Sequence, residues 1–135
     1  DVGTGTGILG IACAKLDAEK VLCIDNDKKS VEIAGENARI NQVDDRVEIR
    51  SCDIATLTEP FHLIVGNLSA KILIKLRSHL FRLLRPGGYL VVSGMIEQNK
   101  PEIEARFLDA SVPVHRLIIE KEWLCYVLKK EAGRP

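Results

Sequence analysis

Asp1-Val2-Gly3-Thr4-Gly5-Thr6-Gly7-Ile8-Leu9-Gly10-Ile11-Ala12 opens the chain, and the fold is read outward from it. Three alternating glycines and a fourth at Gly10 lead directly into an apolar helix start. Glycine lets the backbone turn tightly and lets a ligand lie against bare main chain. The first N–H groups of the helix that follows favour a negative ligand group at the same place. A turn of this kind can also serve only to pack a helix on a strand. Asp1-Val2 reads as the tail of a strand that feeds the turn, so the first strand is expected to be largely missing and the chain to be cut at its N-terminal edge.

Downstream, strand-like and helix-like segments alternate. Lys20 to Ile24 is a short apolar run closed by Asp25-Asn26-Asp27, and Asp27 suits the N-cap of a helix reaching about Asn41. Val31, Ala34 and Ala38 share one face of that helix. Val47 to Ser51 and Phe61 to Val65 read as strands, closed by Cys52-Asp53 and Gly66-Asn67. Ser69 caps a helix from about Ala70 to Leu84 whose leucines at 73, 76, 80, 83 and 84 recur with helical period. Arg85-Pro86-Gly87-Gly88 is expected to stop it and turn the chain. Tyr89 to Ser93 is the next strand, and Pro101 fits the first turn of a helix carrying Ile103 and Phe107. Val114 to Ile119 and Trp123 to Leu128, separated by Glu120-Lys121-Glu122, predict an antiparallel pair. Alternation with short links predicts an α/β fold with a mostly parallel sheet covered on both faces. The 135 residues read as a single domain without repeats or low-complexity segments.

Composition narrows the function. Lys plus Arg and Asp plus Glu both number 19, so no net field recruits nucleic acid or an anionic membrane, although a local basic patch is compatible with that balance. No apolar run approaches the roughly 20 residues that span a bilayer, and the N-terminus has no signal-peptide pattern. The reading is a soluble, cytoplasmic protein. Cys13, Cys23, Cys52 and Cys125 form no C-x-x-C pair and are expected to be reduced, with those inside apolar runs acting as core thiols. His62, His79 and His115 have no metal-ligand spacing, so neither a metal site nor a Cys/His nucleophile is expected.

The ligand has two readings. Gly5-x-Gly7-x-x-Gly10 with Asp25 about 20 residues on matches the dinucleotide fingerprint. Asp1-x-Gly3-x-Gly5-x-Gly7 matches the turn of adenosylmethionine enzymes. Both ligands carry an adenosine whose ribose hydroxyls want a carboxylate, so Asp25 serves either. An acid at Asp1 favours the ammonium group of adenosylmethionine and repels a pyrophosphate, which tilts the choice without closing it.

Taken together, Asp1 to Gly7, Asp25, Asp53, Leu84-Arg85-Pro86-Gly87-Gly88 and the terminal strand pair resemble the class I S-adenosylmethionine-dependent methyltransferases. More narrowly, the chain is similar to the catalytic domain of the ribosomal protein L-eleven lysine methyltransferase family. The similarity rests on Asp1 to Ala12, Ile24-Asp25-Asn26-Asp27, Asn67-Leu68-Ser69-Ala70 and Glu122-Trp123. It implies a Rossmann-like, doubly wound sheet of order 3-2-1-4-5-7-6 with an antiparallel last strand. It also implies S-adenosyl-L-methionine as cofactor, held by Asp1, Gly3, Thr4, Gly5 and Gly7 around its methionine part. Asp25 would grip the ribose, Asp53 and Ile54 would border the adenine, and Asn67 would contact the cofactor and act as the catalytic residue. The implied activity is methyl transfer to lysine and α-amino nitrogens of a large-subunit ribosomal protein, with no membrane partner and no direct nucleic-acid partner. Methyl transfer to RNA or a small molecule, and a nicotinamide-binding oxidoreductase domain, are the other readings. Many amino-group methyltransferases carry Asn-Pro-Pro-Tyr where this chain has Asn67-Leu68-Ser69, as the ribosomal-protein enzymes do, which argues against adenine or glutamine-amide targets. The lesser reading of Asn67 is an Asn that merely turns the chain at a strand end. The family's small N-terminal recognition domain and the segment before the glycine turn lie outside these residues. Trp123 either packs as core or stands at the rim of the active site.

Overall fold

A computed structural model describes residues 1–133. They group into two compact units, Asp1–Thr56 and a second that begins at Leu57.

The first unit contains α1 (Ile8–Lys15), β1 (Val21–Asp25), α2 (Lys28–Ile40) and β2 (Val47–Ser51), followed by a 3₁₀ turn at Ile54–Thr56. β1 and β2 pair in parallel, Val21 opposite Val47 through Asp25 opposite Ser51. Val2 makes a parallel bridge to Ile24, as a short strand tail would. Asp27 caps α2 as expected, its carboxylate accepting from the Lys29 N–H at 3.1 Å. Ala34 and Ala38 are buried while Val31 is half-buried. Ile11, Ala14, Cys23, Ala38, Val43 and Val47 form the core of this unit. Burial pushes the Cys23 thiol up, a shift that the Thr4 hydroxyl partly opposes.

The second unit contains β3 (Phe61–Asn67), α3 (Ala70–Leu83), β4 (Leu84–Ile96), a 3₁₀ turn at Glu97–Asn99, α4 (Lys100–Arg106), β5 (Val114–Glu120) and β6 (Trp123–Lys129). Its sheet order is β3-β4-β6-β5. β3 and β4 are parallel, and β6 is antiparallel to both β4 and β5. Lys121 at φ 55° lets the chain reverse through the two residues between Glu120 and Trp123, as short hairpins require. Ile64, Leu90, Val92, Leu124, Tyr126 and Leu128 are buried, alternating with half-buried or exposed neighbours, the two-residue period of a strand. α3 packs on β4 and α4. The Phe81 and Phe107 rings meet edge to face at 5.6 Å, with the Arg77 guanidinium 5.0 Å above Phe81. Arg77 also donates to the Phe107 carbonyl at 2.8 Å and pairs with Asp109.

Two expectations need correction. Arg85-Pro86-Gly87-Gly88 does not form a turn before a strand, because β4 begins at Leu84. Leu84 is already extended, at φ −81° and ψ 125°, and pairs with Phe61. The four residues lie within the strand at an irregularity in the ladder, where Gly87 N–H donates to the Lys130 carbonyl at 2.8 Å. The Lys130 ammonium caps the carbonyls of Phe81 and Leu84 at 2.9 and 3.0 Å, a cation at the negative end of α3. All four cysteines are free, but only Cys23 is buried. Cys13 and Cys125 are half-buried because their runs belong to elements with one open face, which apolar neighbours alone do not reveal. Of the two readings left open for Trp123, its 52% exposure rules out the core one.

The Tyr126 side chain is buried, yet its hydroxyl has no hydrogen-bond partner among the described residues. Burial, and secondarily the Glu104 charge, pushes its pKa up. An orphaned buried hydroxyl costs about 1–3 kcal/mol. Tyr126→Phe is therefore expected to hold or raise the unfolding free energy, by up to about 1 kcal/mol, in urea melts. A clear loss of stability would mean that the hydroxyl has a partner.

Candidate functional site

Asp1 through Gly7 form a loop whose backbone is tied on both flanks. The Asp1 nitrogen donates to the Leu22 carbonyl at 2.8 Å, and the Asp1 carbonyl accepts from the Ile24 N–H at 3.0 Å. Thr4 N–H donates to the Ile24 carbonyl at 2.9 Å, and Gly7 N–H closes back on the Thr4 carbonyl at 2.9 Å. From the other flank, Asn37 on α2 donates its side-chain amide to the Thr6 carbonyl at 2.8 Å.

Two carboxylates complete the loop. Asp1 Oδ2 accepts from the Thr4 hydroxyl at 2.6 Å and from Gly10 N–H at 2.9 Å. The acid thus lies at the start of α1 and satisfies one of its unpaired donors. Asp25 Oδ2 accepts from Gly5 N–H at 2.9 Å, while Oδ1 accepts from Asp27 N–H at 3.0 Å. An ionised carboxylate offers about four acceptor sites, so each Asp25 oxygen retains one for a hydroxyl donor.

The glycines divide by role. Gly5 adopts φ +56°, and a Cβ built on it would meet nothing within 4 Å. It therefore borders open space next to Asp25 and is the fittest part of the loop to receive a ligand. Gly7 is buried and would bring a Cβ to 3.2 Å from that of Ala34, so it serves the packing of α1 on α2. A Cβ at Gly10 would lie 2.2 Å from Cys23 Sγ, so this glycine is set by helix-on-strand packing. Gly3 is exposed. Thr4, expected to bind cofactor, is 5% exposed with its hydroxyl turned to Asp1, so its side chain supports the loop from inside.

Asp53 opens the 3₁₀ turn, its Oδ1 accepting from Ala55 N–H at 2.9 Å and its carbonyl from the Thr56 hydroxyl at 2.7 Å. Ile54 is 4% exposed, so a ligand would meet its main chain rather than its side chain. In the second unit, Asn67 ends β3 with an exposed side chain. The next residue is anchored, Leu68 N–H donating to the Ser93 carbonyl at 2.8 Å, and Ser69 then caps α3. Gly94 escaped the sequence reading. It lies at φ +96° where the β4–β6 register shifts between Ser93 and Met95, and Asn67 lies against it. An isolated glycine inside a strand pattern is the signal that would have found it. Among the described residues no group of His, Cys, Asp or Glu could hold a metal ion. No helix among them is long and apolar enough to cross a membrane.

Residues 1–131 match the family described as Ribosomal protein L11 methyltransferase (PrmA). A ribosomal protein L11 methyltransferase of Heliobacterium modesticaldum is 37% identical over 131 residues, 96% of this chain and 42% of that protein. One from Geotalea daltonii is 36% identical over 131 residues, with 97% and 42% covered. This chain therefore spans about two fifths of the length of those relatives. Among solved structures, the ribosomal protein L11 methylase of Lactobacillus delbrueckii subsp. bulgaricus superposes with a TM-score of 0.91 at 32% identity, covering 97% of this chain and 68% of that one. An RNA methyltransferase of Salinibacter ruber in complex with S-adenosyl-L-homocysteine gives a TM-score of 0.78 at 23% identity, with 100% and 81% covered. At that identity the likeness concerns the fold alone. The Rossmann-like α/β class read from the sequence is the class of this fold.

Proposed function

The chain belongs to the ribosomal protein L11 methyltransferase family, and from that premise we propose that it is a catalytic domain that binds S-adenosyl-L-methionine and methylates a ribosomal protein. The acceptors are lysine and α-amino nitrogens of a large-subunit protein, in the cytoplasm, without a membrane partner or direct contact with nucleic acid. The 135 residues act as one methyltransferase domain.

The observation that carries the cofactor reading is the Asp25–Gly5 bond of 2.9 Å. It sets a carboxylate with free acceptor sites beside bare backbone that borders open space, which suits a ribose diol. The Asp1 carboxylate at the start of α1 argues against the dinucleotide reading, since a pyrophosphate there would meet a like charge. In this reading Gly3, Gly5 and Gly7 with Thr4 and Asp1 shape the seat of the methionine part. Asp25 takes the ribose hydroxyls, and Asp53 and the Ile54 main chain border the adenine. Bound there, the cofactor supplies an electrophilic methyl group on a positively charged sulfur.

The protein's remaining task is alignment, which can supply roughly 7–11 kcal/mol in favourable systems. A target lysine must arrive neutral, and its ordinary pKa is about 10.4. Loss of water and a nearby positive charge both lower that value. Asn67 Oδ1 and the adjacent backbone carbonyl accept hydrogen bonds from the amine and aim its lone pair. Asn67 orients the amine without removing its proton, since an amide is no base at neutral pH.

The test is transfer of labelled methyl groups by the full-length protein to purified ribosomal proteins, with ribosomal RNA assayed in parallel. Label on protein amino groups is expected, and label on RNA alone would reject the assignment. Asn67→Ala should lower kcat about 100-fold, the order set by lost positioning, with little change in adenosylhomocysteine affinity. An unchanged kcat would remove Asn67 from the site.

A further inference from the structure

We infer that Gly94 is a positioning residue for methyl transfer, its bare α-carbon forming the floor on which the two amine acceptors at Asn67 and Leu68 are placed. The inference rests on the reading of Asn67 given above, and its test separates the two.

A Cβ built on Gly94 would lie 2.6 Å from Asn67 Oδ1, 2.7 Å from the Leu68 carbonyl oxygen and 2.8 Å from Leu68 N. All three distances fall well inside van der Waals contact. The crowded atoms include both groups proposed to accept bonds from the amine, and they converge on one position of the neighbouring strand. Gly94 also has φ +96°, a conformation that L side chains rarely adopt.

The local ladder explains how the residue comes to be there. Asn67 is paired with Ser93 across the parallel β3–β4 ladder, and Leu68 N–H is held by the Ser93 carbonyl at 2.8 Å. One residue later the β4–β6 register shifts, between Ser93 and Met95. Gly94 is thus the extra residue of a bulge, a device that bends a strand and re-aims its neighbours. Asn67 is exposed. The floor at Gly94 and the bond to Ser93 limit where the amide and the Leu68 carbonyl can lie. Any side chain at residue 94 would lift both acceptors, and a displacement near 1 Å is enough to cost about 100-fold in rate.

The experiment uses Asn67→Ala, Gly94→Ala and the double variant in the full-length protein. Each is measured for kcat and KM with the ribosomal-protein substrate, and for adenosylhomocysteine binding by calorimetry. Gly94→Ala is expected to lower kcat at least about 10-fold, with cofactor affinity and binding stoichiometry held. The double variant should lose less than the product of the two single losses, because both changes strike the Asn67 acceptor and only the Leu68 carbonyl is left for residue 94 to displace. Independent, multiplying losses would overturn the inference, as would a normal kcat in Gly94→Ala beside a crippled Asn67→Ala. A normal kcat in Asn67→Ala would instead sink the reading of Asn67. A general structural role for Gly94 would show as lost binding stoichiometry at unchanged kcat per folded molecule, and would overturn the inference too. Should Gly94→Ala not fold, the wild-type protein supplies the measurement. Nuclear Overhauser contacts between the Asn67 side-chain amide and the Gly94 α-protons are expected, and a freely rotating Asn67 amide without them would refute the inference.

Discussion

Asp25→Ala is expected to weaken adenosylhomocysteine binding about 10- to 100-fold, with the protein still folded. A hydrogen bond to a charged group contributes about 1.5–3 kcal/mol, and every 1.4 kcal/mol is tenfold in affinity. The change removes the acceptors offered to the ribose and also the 2.9 Å bond that fixes Gly5, so loop order falls with ligand contact. The lost bond to Asp27 N–H is exposed and should cost little stability. Asp25→Asn should be almost as weak, since the new NH2 group would face either the Gly5 N–H or the Asp27 N–H, donor against donor. Calorimetric titration with circular dichroism as the folding control measures both. Affinity unchanged in Asp25→Ala would take the residue out of the site, and NAD binding with no adenosylhomocysteine binding would overturn the cofactor reading.

Gly10→Ala is expected to cost about 3 kcal/mol or more of stability, at the upper end of overpacking penalties. The added methyl would lie 2.2 Å from Cys23 Sγ and 3.3 Å from a Val21 methyl carbon. Cys23 is fully buried in the core of the first unit, so its sulfur has nowhere to retreat. Relief must come from α1 shifting off β1, which would strain the Asp1 bond to Gly10 N–H. Cys23→Ala in the same chain should restore part of the loss by removing the obstructing sulfur. Urea unfolding of the three variants gives the answer. Gly10→Ala as stable as wild type would show that this glycine is not demanded by packing.

The two predictions separate residues that one motif lists together. Gly5 borders open space and is bonded to Asp25, whereas Gly7 and Gly10 are held by contacts to Ala34 and Cys23. A pattern of glycines in a sequence cannot make that division, because the clashing partners lie 13 to 27 positions away.

What the sequence determined by itself was whatever depends on near neighbours. Period-two and period-3.6 patterns located the helices and strands to within a few residues, the early start of β4 at Leu84 excepted. The caps at Asp27 and Ser69 were legible because a capping side chain reaches only two or three residues ahead. The placing of Asp25 beside the glycine loop was legible because a βα turn returns the next strand end at an almost constant spacing, whereas its bond to Gly5 N–H was not. Tertiary structure alone decided the bulge at Gly94, the exposure of Trp123 and the half-burial of Cys13 and Cys125. It also decided the merging of Leu84 to Gly88 into β4 and the engagement of Asp1 with Thr4 and Gly10. Each depends on which face of an element meets another, or on the register between strands. One step of register exchanges the two faces of a strand, and no local spacing records it.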